Sequence, residues 1–256
     1  MQPTSGPVSP ARDPQRDPDH DPAAAGPEPE LTAIRILHRD PWLLVVEKPA
    51  GLLCQPGLGP ELQDSLQLRL QRRWPEVRLV HRLDRDTSGL LLLARDPETH
   101  RRLSIAFAER QVEKHYQARI LGSPEADAGV IDRPIAKVCH RPPLYGVDSG
   151  GRPSLTHWRC LGSHPHGSEL ALRPITGRSH QLRVHLLAIG HPILGDPLYG
   201  QPLAAGLSSR LCLHATGLGF RHPWSGAWLS LRSPAVFPPQ VTPGDQALKA
   251  LRGEIG

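Results

Sequence analysis

The stretch "HRLDRDTSGLLLLARD" (residues 81–96) joins a run of charged side chains directly to a run of aliphatic ones. Residues 90–94 form a short apolar segment that directly follows Gly89. A short segment of this kind is typical of a strand covered on both faces rather than of a helix. Residues 81–88 are then a loop that brings Asp84 and its charged neighbours to the edge of the core. Loops held on a rigid element in this way often present reactive groups.

Strand-like segments outnumber helical ones in the rest of the chain. We predict two strands within residues 33–51, around an Asp40-Pro41 turn. Further strands are predicted within the segments 112–122, 131–138, 155–162, 168–175, 212–220 and 227–233. Short turns join most of these segments, so the sequence favours an α+β fold with a mostly antiparallel sheet.

Three helices are predicted between the strands. The first lies within 64–74, with Asp64 as its expected N-cap, and the second begins at Asp96, a preferred N-cap residue that Pro97 follows. The third covers residues 178–189. Residues 122–153 are rich in proline and glycine, so we predict mostly loop there around the single strand at 131–138.

The ends of the chain differ from its centre in composition. Residues 1–30 contain eight prolines and six acidic residues with almost nothing to bury, which is typical of a disordered tail. This tail also has two arginines, so it contributes −4 to the formal net charge of +5 and the remaining residues carry +9. We expect one folded domain at 31–237 and a polar C-terminal tail at 238–256.

Nearly all of the basic charge is arginine, with only four lysines in the chain. The planar guanidinium suits phosphate recognition and stacking, which favours an acidic partner such as nucleic acid, although a GC-rich genome would also encode arginine in place of lysine. No apolar segment reaches the roughly 18 residues that span a membrane, and the N-terminus does not resemble a signal peptide. The four cysteines are far apart without a CxxC pair, which fits a reducing cytoplasm.

Arg183 falls among the leucines on the apolar side of the predicted helix 178–189. A guanidinium keeps its proton, so a buried one needs an anionic partner, whereas an arginine at the margin of the apolar stripe would extend to solvent. Asp84 is the candidate partner. Alternatively, Asp84 or Asp86 could simply cap a turn or pair with a neighbouring arginine.

Other patterns point to no further chemistry. His180 and His185 are five residues apart in the predicted helix, so they lie on different faces and do not form a metal motif. No glycine-rich phosphate loop is present, so we expect no nucleotide cofactor. Tyr116 lies in the middle of a predicted strand, where a tyrosine is ordinarily part of the core or of a sheet face.

The segment "HRLDRDTSGL" (81–90) resembles the signature of the RluA family of pseudouridine synthases. Four further segments agree with the family in the same order: "VVEKPAGLLCQPG" (45–57), "VEKHYQARILG" (112–122), "ITGRSHQLRVHLLAIGHPILGDPLYG" (175–200) and "LCLHATGLGFRHP" (211–223). The resemblance extends from about residue 34 to residue 237. It is greatest to the dual-specificity members, because no N-terminal S4 RNA-binding domain is present, and the tail at 1–30 departs from their compact pattern.

This resemblance implies a fold and a set of site residues. The implied fold is a mixed, largely antiparallel central sheet with flanking helices and two subdomains around a catalytic cleft. Asp84 matches the catalytic aspartate of the family, and Arg183 matches the arginine that pairs with it. Tyr116 matches the tyrosine that stacks on the target base, and Arg82 matches the arginine that enters the RNA stack where the target uridine has left.

The resemblance also implies the activity, which is isomerisation of uridine to pseudouridine in stem-loops of 23S rRNA, of tRNA, or of both. The implied partner is RNA, with no metal or other cofactor, no membrane, and a cytoplasmic monomer as the active form. Whether Asp84 acts as a nucleophile or as a base at the sugar stays open. The alternatives are the same chemistry at a different tRNA position, a non-catalytic RNA-binding relative, and an unrelated hydrolase that uses Asp84 with Asp86.

Overall fold

The computed structural model describes residues 34–140 and 143–240. The predicted tail at 1–30 lies outside the described residues, as does the predicted tail at 238–256 apart from its first three residues. The strands are β1 (Arg35–Arg39), β2 (Leu43–Lys48), β3 (Arg78–Leu79), β4 (Ser88–Ala94), β5 (Glu113–Leu121), β6 (Ala128–Asp132), β7 (Ile135–His140), β8 (Pro143–Val147), β9 (Leu155–His164), β10 (Gly167–Pro174), β11 (Leu213–Arg221) and β12 (Trp228–Arg232). The α-helices are α1 (Leu66–Gln71), α2 (Pro97–Ala108), α3 (Gln181–Ala188) and α4 (Gln201–Gly206).

Ten of these strands form one sheet in the order β1-β2-β4-β11-β5-β10-β9-β6, with β3 added beside β4 and β12 beside β11. All of its pairings are antiparallel except the one between β4 and β11. The remaining two strands, β7 and β8, form a separate hairpin. The predicted α+β fold with a mixed, largely antiparallel sheet is confirmed.

The aliphatic strand predicted from the sequence is β4, and all seven of its residues are buried. Because successive strand side chains point to opposite faces, Leu91 and Leu93 face one core while Leu90 and Leu92 face another. The first of these cores includes Leu66 and Leu70 of α1, and the second includes Leu103 of α2. Burial of both faces therefore explains why this strand is uniformly apolar.

A third core fills the other half of the molecule, between β5, β10 and α3. Ala118 and Ile120 of β5 pack there with Leu182 and Leu186 of α3. Tyr116, also on β5, packs against this core and against the core on the α1 side of β4. The molecule therefore has two halves, and Tyr116 lies where they meet.

The two halves are joined by the parallel pairing of β4 with β11. Only two residue pairs form it, His214 with Ser88 and Ala215 with Gly89. Gly89 has φ +113°, and a Cβ atom placed on it would lie 2.4 Å from the Ala215 carbonyl oxygen. Backbone therefore approaches backbone here too closely for any side chain, and the loop 81–87 enters β4 at this point.

The predicted helix starts are correct for α2 and wrong for α1. Asp96 caps α2 by accepting a hydrogen bond from the Thr99 amide at 2.8 Å. At α1 the N-cap is Ser65 rather than Asp64, because Asp64 forms a two-pronged ion pair with Arg69, at 2.8 and 2.6 Å. An aspartate beside a serine leaves two candidate caps, and the arginine that decides between them is recognised only in three dimensions.

The prediction of mostly loop at 122–153 is also wrong, because β6, β7 and β8 lie within it. The single strand predicted at 131–138 is in fact the end of β6 and the start of β7, separated at Arg133-Pro134. Proline has no amide hydrogen to donate to a ladder, so it ends one strand before the next begins. Residues 201–206, where neither a helix nor a strand was predicted, form the short helix α4.

The close approach at Gly89 predicts a large penalty for any side chain there. Gly89→Ala should lower the free energy of unfolding by at least about 2–3 kcal/mol, because the methyl group requires β4 to move from β11. Gly190→Ala is the matched control, since Gly190 also has positive φ (+82°) but no atom within 4 Å of the added Cβ, so it should cost only about 1 kcal/mol. Equal losses in urea denaturation would show that the β4–β11 contact tolerates separation.

Candidate active site

A cleft of about 1200 Å³ lies where the two halves meet. Its wall includes the loop 81–87, Tyr116 of β5, Tyr145 of β8 and the segment 174–183 that leads into α3. Pockets for small ligands usually measure about 300–1000 Å³, so this cleft suits a larger partner. It contains Asp84, Arg82, Tyr116 and Arg183, and the structure therefore brings all four sequence-predicted site residues to one place.

The backbone of the loop 81–87 is held by hydrogen bonds from the end of β2 and from the residues that follow it. The Lys48 ammonium donates hydrogen bonds to the carbonyl oxygens of Arg85, Leu52 and Pro49, each at 2.8 Å. The Gly51 amide donates to the same Arg85 carbonyl at 3.0 Å. Lys48 is fully buried, and this burial lowers its pKa to about 8 although nearby acidic residues oppose the shift.

Two further contacts fix the part of the loop that carries Asp84. The Cys54 thiol bridges the backbone of Leu83, donating to its carbonyl oxygen at 3.2 Å and accepting from its amide at 3.3 Å. The Thr87 amide donates to the Asp84 carbonyl oxygen at 3.2 Å, which closes a tight turn. The backbone of Asp84 therefore sits between two fixed points, while its side chain is 27% exposed in the cleft.

Arg183 of α3 is buried to 2% exposure, as its place on the apolar side of the helix requires. Its principal partner is Asp196, which accepts from Nε at 2.8 Å and from Nη2 at 2.6 Å. Its third nitrogen, Nη1, lies 3.4 Å from Oδ2 of Asp84. Burial acts to lower the pKa of Arg183, but the hydrogen bonds and charge of Asp196, with a smaller contribution from Asp84, raise it above its ordinary value.

Asp196 is the residue that our sequence analysis missed. It is fully buried, and besides Arg183 it accepts hydrogen bonds from the amides of Leu198 and Tyr199 at 2.9 and 3.0 Å. The sequence signal was present in "GDPLYG" (195–200), but an aspartate before proline is also ordinary turn chemistry. Its distance of thirteen residues from Arg183 gave no helical spacing that would have linked the two.

Tyr116 and Arg82 occupy contrasting places in the cleft. Tyr116 lies in mid-strand opposite Leu172 and Ala215, and burial, together with the negative charge of Asp84, raises the pKa of its phenol above the ordinary value. Arg82 is exposed to solvent. The cleft thus has a partly buried tyrosine ring on one side and a solvent-exposed arginine on another.

A second group that the sequence did not reveal surrounds His180, immediately before α3. The imidazole Nδ1 lies 2.7 Å from the Tyr199 hydroxyl, and that hydroxyl accepts a hydrogen bond from the Tyr145 amide at 2.9 Å. The other ring nitrogen, Nε2, lies 4.0 Å from Oδ1 of Asp84. The predicted helix 178–189 in fact begins at Gln181, because His180 adopts a left-handed backbone.

The cleft carries an excess of positive charge. Six of its lining residues are arginine or lysine and two are acidic; the cations are Arg82, Arg85, Arg110, Lys114, Arg178 and Arg183, and the acids are Asp84 and Asp86. A concave surface with this balance attracts polyanions and raises their local concentration.

Two features are absent from residues 34–140 and 143–240. No group of three or more His, Cys, Asp and Glu side chains is arranged to hold a metal ion. No helix in these ranges is both long and apolar enough to cross a membrane.

Comparison with known proteins agrees with this geometry. Residues 42–188 match the family described as RNA pseudouridylate synthase. The dual-specificity RNA pseudouridine synthase RluA of Pasteurella multocida is 44% identical over 206 residues, which are 79% of this chain and 93% of the relative. The enzyme of the same name from Escherichia coli is 40% identical over the same shares, and that of Vibrio vulnificus is 43% identical over 80% of this chain and 85% of the relative.

Solved structures show the same relationship. The human RNA pseudouridylate synthase domain containing 1 matches with a TM-score of 0.67 and 30% identity, over 86% of this chain and 94% of that one. The human RNA pseudouridylate synthase domain containing 4 matches with a TM-score of 0.64 and 28% identity, over 79% and 88%. The chain therefore belongs to the RNA pseudouridylate synthase family. It is an RNA pseudouridine synthase, and the resemblance to the RluA family is confirmed.

His81, the first residue of the loop 81–87, predicts that the protein loses stability as the pH falls. The His81 ring stacks on Phe107 at 4.6 Å, and its Nε2 accepts a hydrogen bond from the Leu92 amide at 3.0 Å. Burial, with a contribution from the positive charge of Lys114, lowers the pKa of His81 to about 3. The unfolded chain then takes up the proton near pH 6.5 and the folded chain only near pH 3, so stability present above pH 6.5 is lost as the pH falls through this window.

His81→Gln should therefore reduce the acid sensitivity of the protein, because the glutamine oxygen accepts from the Leu92 amide without binding a proton. Between pH 7 and pH 5 the wild-type free energy of unfolding should fall by roughly 1–2 kcal/mol more than that of the variant. Urea titrations at both pH values measure the difference. The same decrease in both proteins would mean that His81 takes up its proton as readily in the folded chain as in the unfolded chain.

Proposed function

We propose that this chain is a dual-specificity enzyme that converts uridines in stem-loops of rRNA and tRNA to pseudouridine, with Asp84 as the catalytic residue. The observation that carries the proposal is the position of the Asp84 carboxylate. It projects into a cationic cleft from a loop whose backbone is fixed, beside a guanidinium that is itself held by a second, fully buried carboxylate. We take residues 31–237 as the catalytic unit.

The surroundings of Asp84 suit a group that must be ionised and well placed. Arg183 places a positive charge 3.4 Å from the carboxylate, and its position is set by Asp196 rather than by Asp84. The arginine therefore stays in place when Asp84 changes its contacts. An aspartate held in this way is able to act at the sugar either as a nucleophile or as a base, and both routes remain part of the proposal.

The chemistry needs the uridine outside its stack. A base within a stacked RNA is out of reach, so the enzyme must flip it out at a cost of a few kcal/mol. We propose that Arg82, exposed at the cleft, fills the space that the uridine leaves, because a planar cation both stacks on bases and contacts phosphates. Tyr116, partly buried on the other side, would hold the flipped uracil against its ring.

The reaction itself is an isomerisation. The bond between C1′ and N1 breaks, the uracil turns while it stays enclosed, and a bond forms between C1′ and C5. The proton lost from C5 is balanced by one gained at N1, so substrate and product have the same atoms and electrons. We therefore propose that no redox cofactor, nucleotide or metal takes part, and that the residues of one chain are sufficient.

The proposed substrates come from the named relatives, which are dual-specificity enzymes. A uridine in a 23S rRNA stem-loop and one in the anticodon stem-loop of tRNA are the specific candidates, and a different tRNA position is the second choice. These RNAs act in the cytoplasm, where we place the activity. We propose a monomer as the active form, because Asp84, Arg82, Tyr116 and Arg183 all line one cleft of the same chain.

Asp84→Asn tests the catalytic assignment. The amide has no charge to act at the sugar, so pseudouridine formation should fall at least about a thousandfold, while RNA affinity, which comes mainly from the cationic surface, should stay within about threefold. Asp86→Asn is the matched control from the same loop and should keep at least a tenth of wild-type turnover. Comparable losses in both variants would favour a carboxylate pair, and an inactive wild-type protein would favour a non-catalytic RNA-binding relative.

The substrate assignment is tested by mapping pseudouridines in rRNA and tRNA from cells that lack the gene. We expect two classes of site to disappear, one in 23S rRNA and one in a tRNA anticodon stem-loop, and to return with the wild-type gene but not with Asp84→Asn. Loss of tRNA sites alone, at another position, would support the second choice and contradict dual specificity.

The role proposed for Arg82 predicts a difference between binding and rate. Arg82→Ala should slow modification of a stem-loop of about 17 nucleotides more than it weakens binding, because the arginine contributes to the flipped state. Arg78→Ala is the control, since Arg78 is exposed on β3 and lies outside the cleft lining. The same uridine in an uninterrupted duplex should be a poor substrate, and equal rates on the stem-loop and the duplex would contradict this model of recognition.

A further inference from the structure

His180 has an unusual backbone and a specific set of contacts, and the roles proposed so far do not involve it. It lies at the N-terminal end of α3 with φ +56° and ψ +17°, a left-handed conformation that non-glycine residues adopt uncommonly. Such residues persist where the surrounding structure fixes them, and they cluster at functional sites. The ring of His180 is 15% exposed and lies between Tyr199 and Asp84.

The hydrogen bonds around Tyr199 determine which nitrogen of His180 carries the proton. Within the described residues, the Tyr199 hydroxyl has two partners, the Tyr145 amide at 2.9 Å and His180 Nδ1 at 2.7 Å. The amide donates to the hydroxyl oxygen, so Nδ1 is the acceptor that the described residues offer to the hydroxyl hydrogen. The proton of the neutral imidazole then lies on Nε2, the nitrogen that faces Asp84.

The imidazole is neutral near pH 7. Burial lowers the pKa of His180 below its ordinary value, although the negative charge of Asp84 opposes this shift and Arg183 adds to it. The ring is also held from the side, since the rings of Tyr145 and Tyr199 contact it edge-on with centroids 5.1 and 5.6 Å away. His180 is therefore a neutral donor in a fixed orientation.

Asp84 consequently has a donor beside each of its oxygens. Arg183 Nη1 lies 3.4 Å from Oδ2, and His180 Nε2 lies 4.0 Å from Oδ1. The second distance is about 1 Å too long for a hydrogen bond. Catalytic hydrogen bonds are commonly long before the substrate binds and shorten in the complex.

We propose that His180 is a positioning residue for Asp84, and that its Nε2–H closes onto Oδ1 when RNA occupies the cleft. Held at both oxygens, the carboxylate keeps one orientation towards the sugar of the flipped uridine. Tyr199 and the Tyr145 amide fix the tautomer that makes this possible. The inference rests on the proposed function, because it assumes that Asp84 is the reacting group.

Single-turnover kinetics on the stem-loop or rRNA transcript that the wild-type enzyme modifies test this role. His180→Ala should reduce the rate of the chemical step about 10–100-fold, because a poorly oriented carboxylate loses that much, with RNA affinity unchanged within about threefold. His180→Gln should recover much of the rate, since its amide nitrogen reaches the position of Nε2. Tyr199→Phe keeps the aromatic ring but no longer fixes the tautomer of His180. The rate of its chemical step should lie between those of His180→Ala and His180→Gln.

His180→Asn is the matched control. Asparagine tolerates the left-handed backbone as well as histidine does, but its shorter amide does not reach Asp84. It should therefore be as slow as His180→Ala. A rate for His180→Asn equal to that of His180→Gln would mean that only the backbone conformation matters, and a rate for His180→Ala equal to wild type would also overturn the proposal.

Nitrogen chemical shifts of the His180 ring give a test that does not depend on activity. The free wild-type protein should show the Nε2–H tautomer, and Tyr199→Phe should show a mixture of both tautomers. A proton on Nδ1 in the wild-type protein would leave Nε2 without a hydrogen and would overturn the proposal even if a variant unfolds. Wild-type turnover by Asp84→Asn would instead overturn the proposed function, so the two failures are distinguishable.

Discussion

The parallel contact between β4 and β11 at Gly89 is the constraint on which the rest of the structure depends. Two short stretches of backbone meet there without a side chain between them, and the two halves of the molecule are joined across this contact. Because the loop 81–87 leads straight into β4, the same contact sets where Asp84 stands relative to α3. Gly89 therefore both lets the two halves of the molecule join and sets the position of Asp84.

Arg183 shows how the fold holds a buried positive charge beside the cleft. Its burial would be very costly alone, and the two-pronged pair with Asp196 offsets that cost inside one half of the molecule. Only the third nitrogen of the guanidinium faces Asp84 across the cleft. The position of the Arg183 guanidinium is therefore set by the fold through Asp196, and it does not depend on Asp84.

Local patterns predicted the elements well, and long-range contacts account for most of what they missed. The buried strand β4 and the N-cap at Asp96 are recognisable from residues adjacent in the sequence, so both predictions were correct. Pro134 is itself a signal for the split of 131–138, and the prediction of one strand neglected it. The cap of α1 needed the ion pair of Asp64 with Arg69. At the site, helical periodicity showed that Arg183 requires an anion, but the identity of Asp196 depends on how a distant turn folds back.

The sheet order has a consequence for how the chain is made. The central strand β11 (Leu213–Arg221) pairs with β4 and β5, which precede it by roughly a hundred residues or more. During synthesis one edge of each of these earlier strands stays unpaired until β11 leaves the ribosome. Contacts so far apart in sequence form slowly, and open strand edges invite aggregation. The cleft is therefore completed last, and a chain that ends before β11 is an incomplete fold with exposed edges rather than a shorter enzyme.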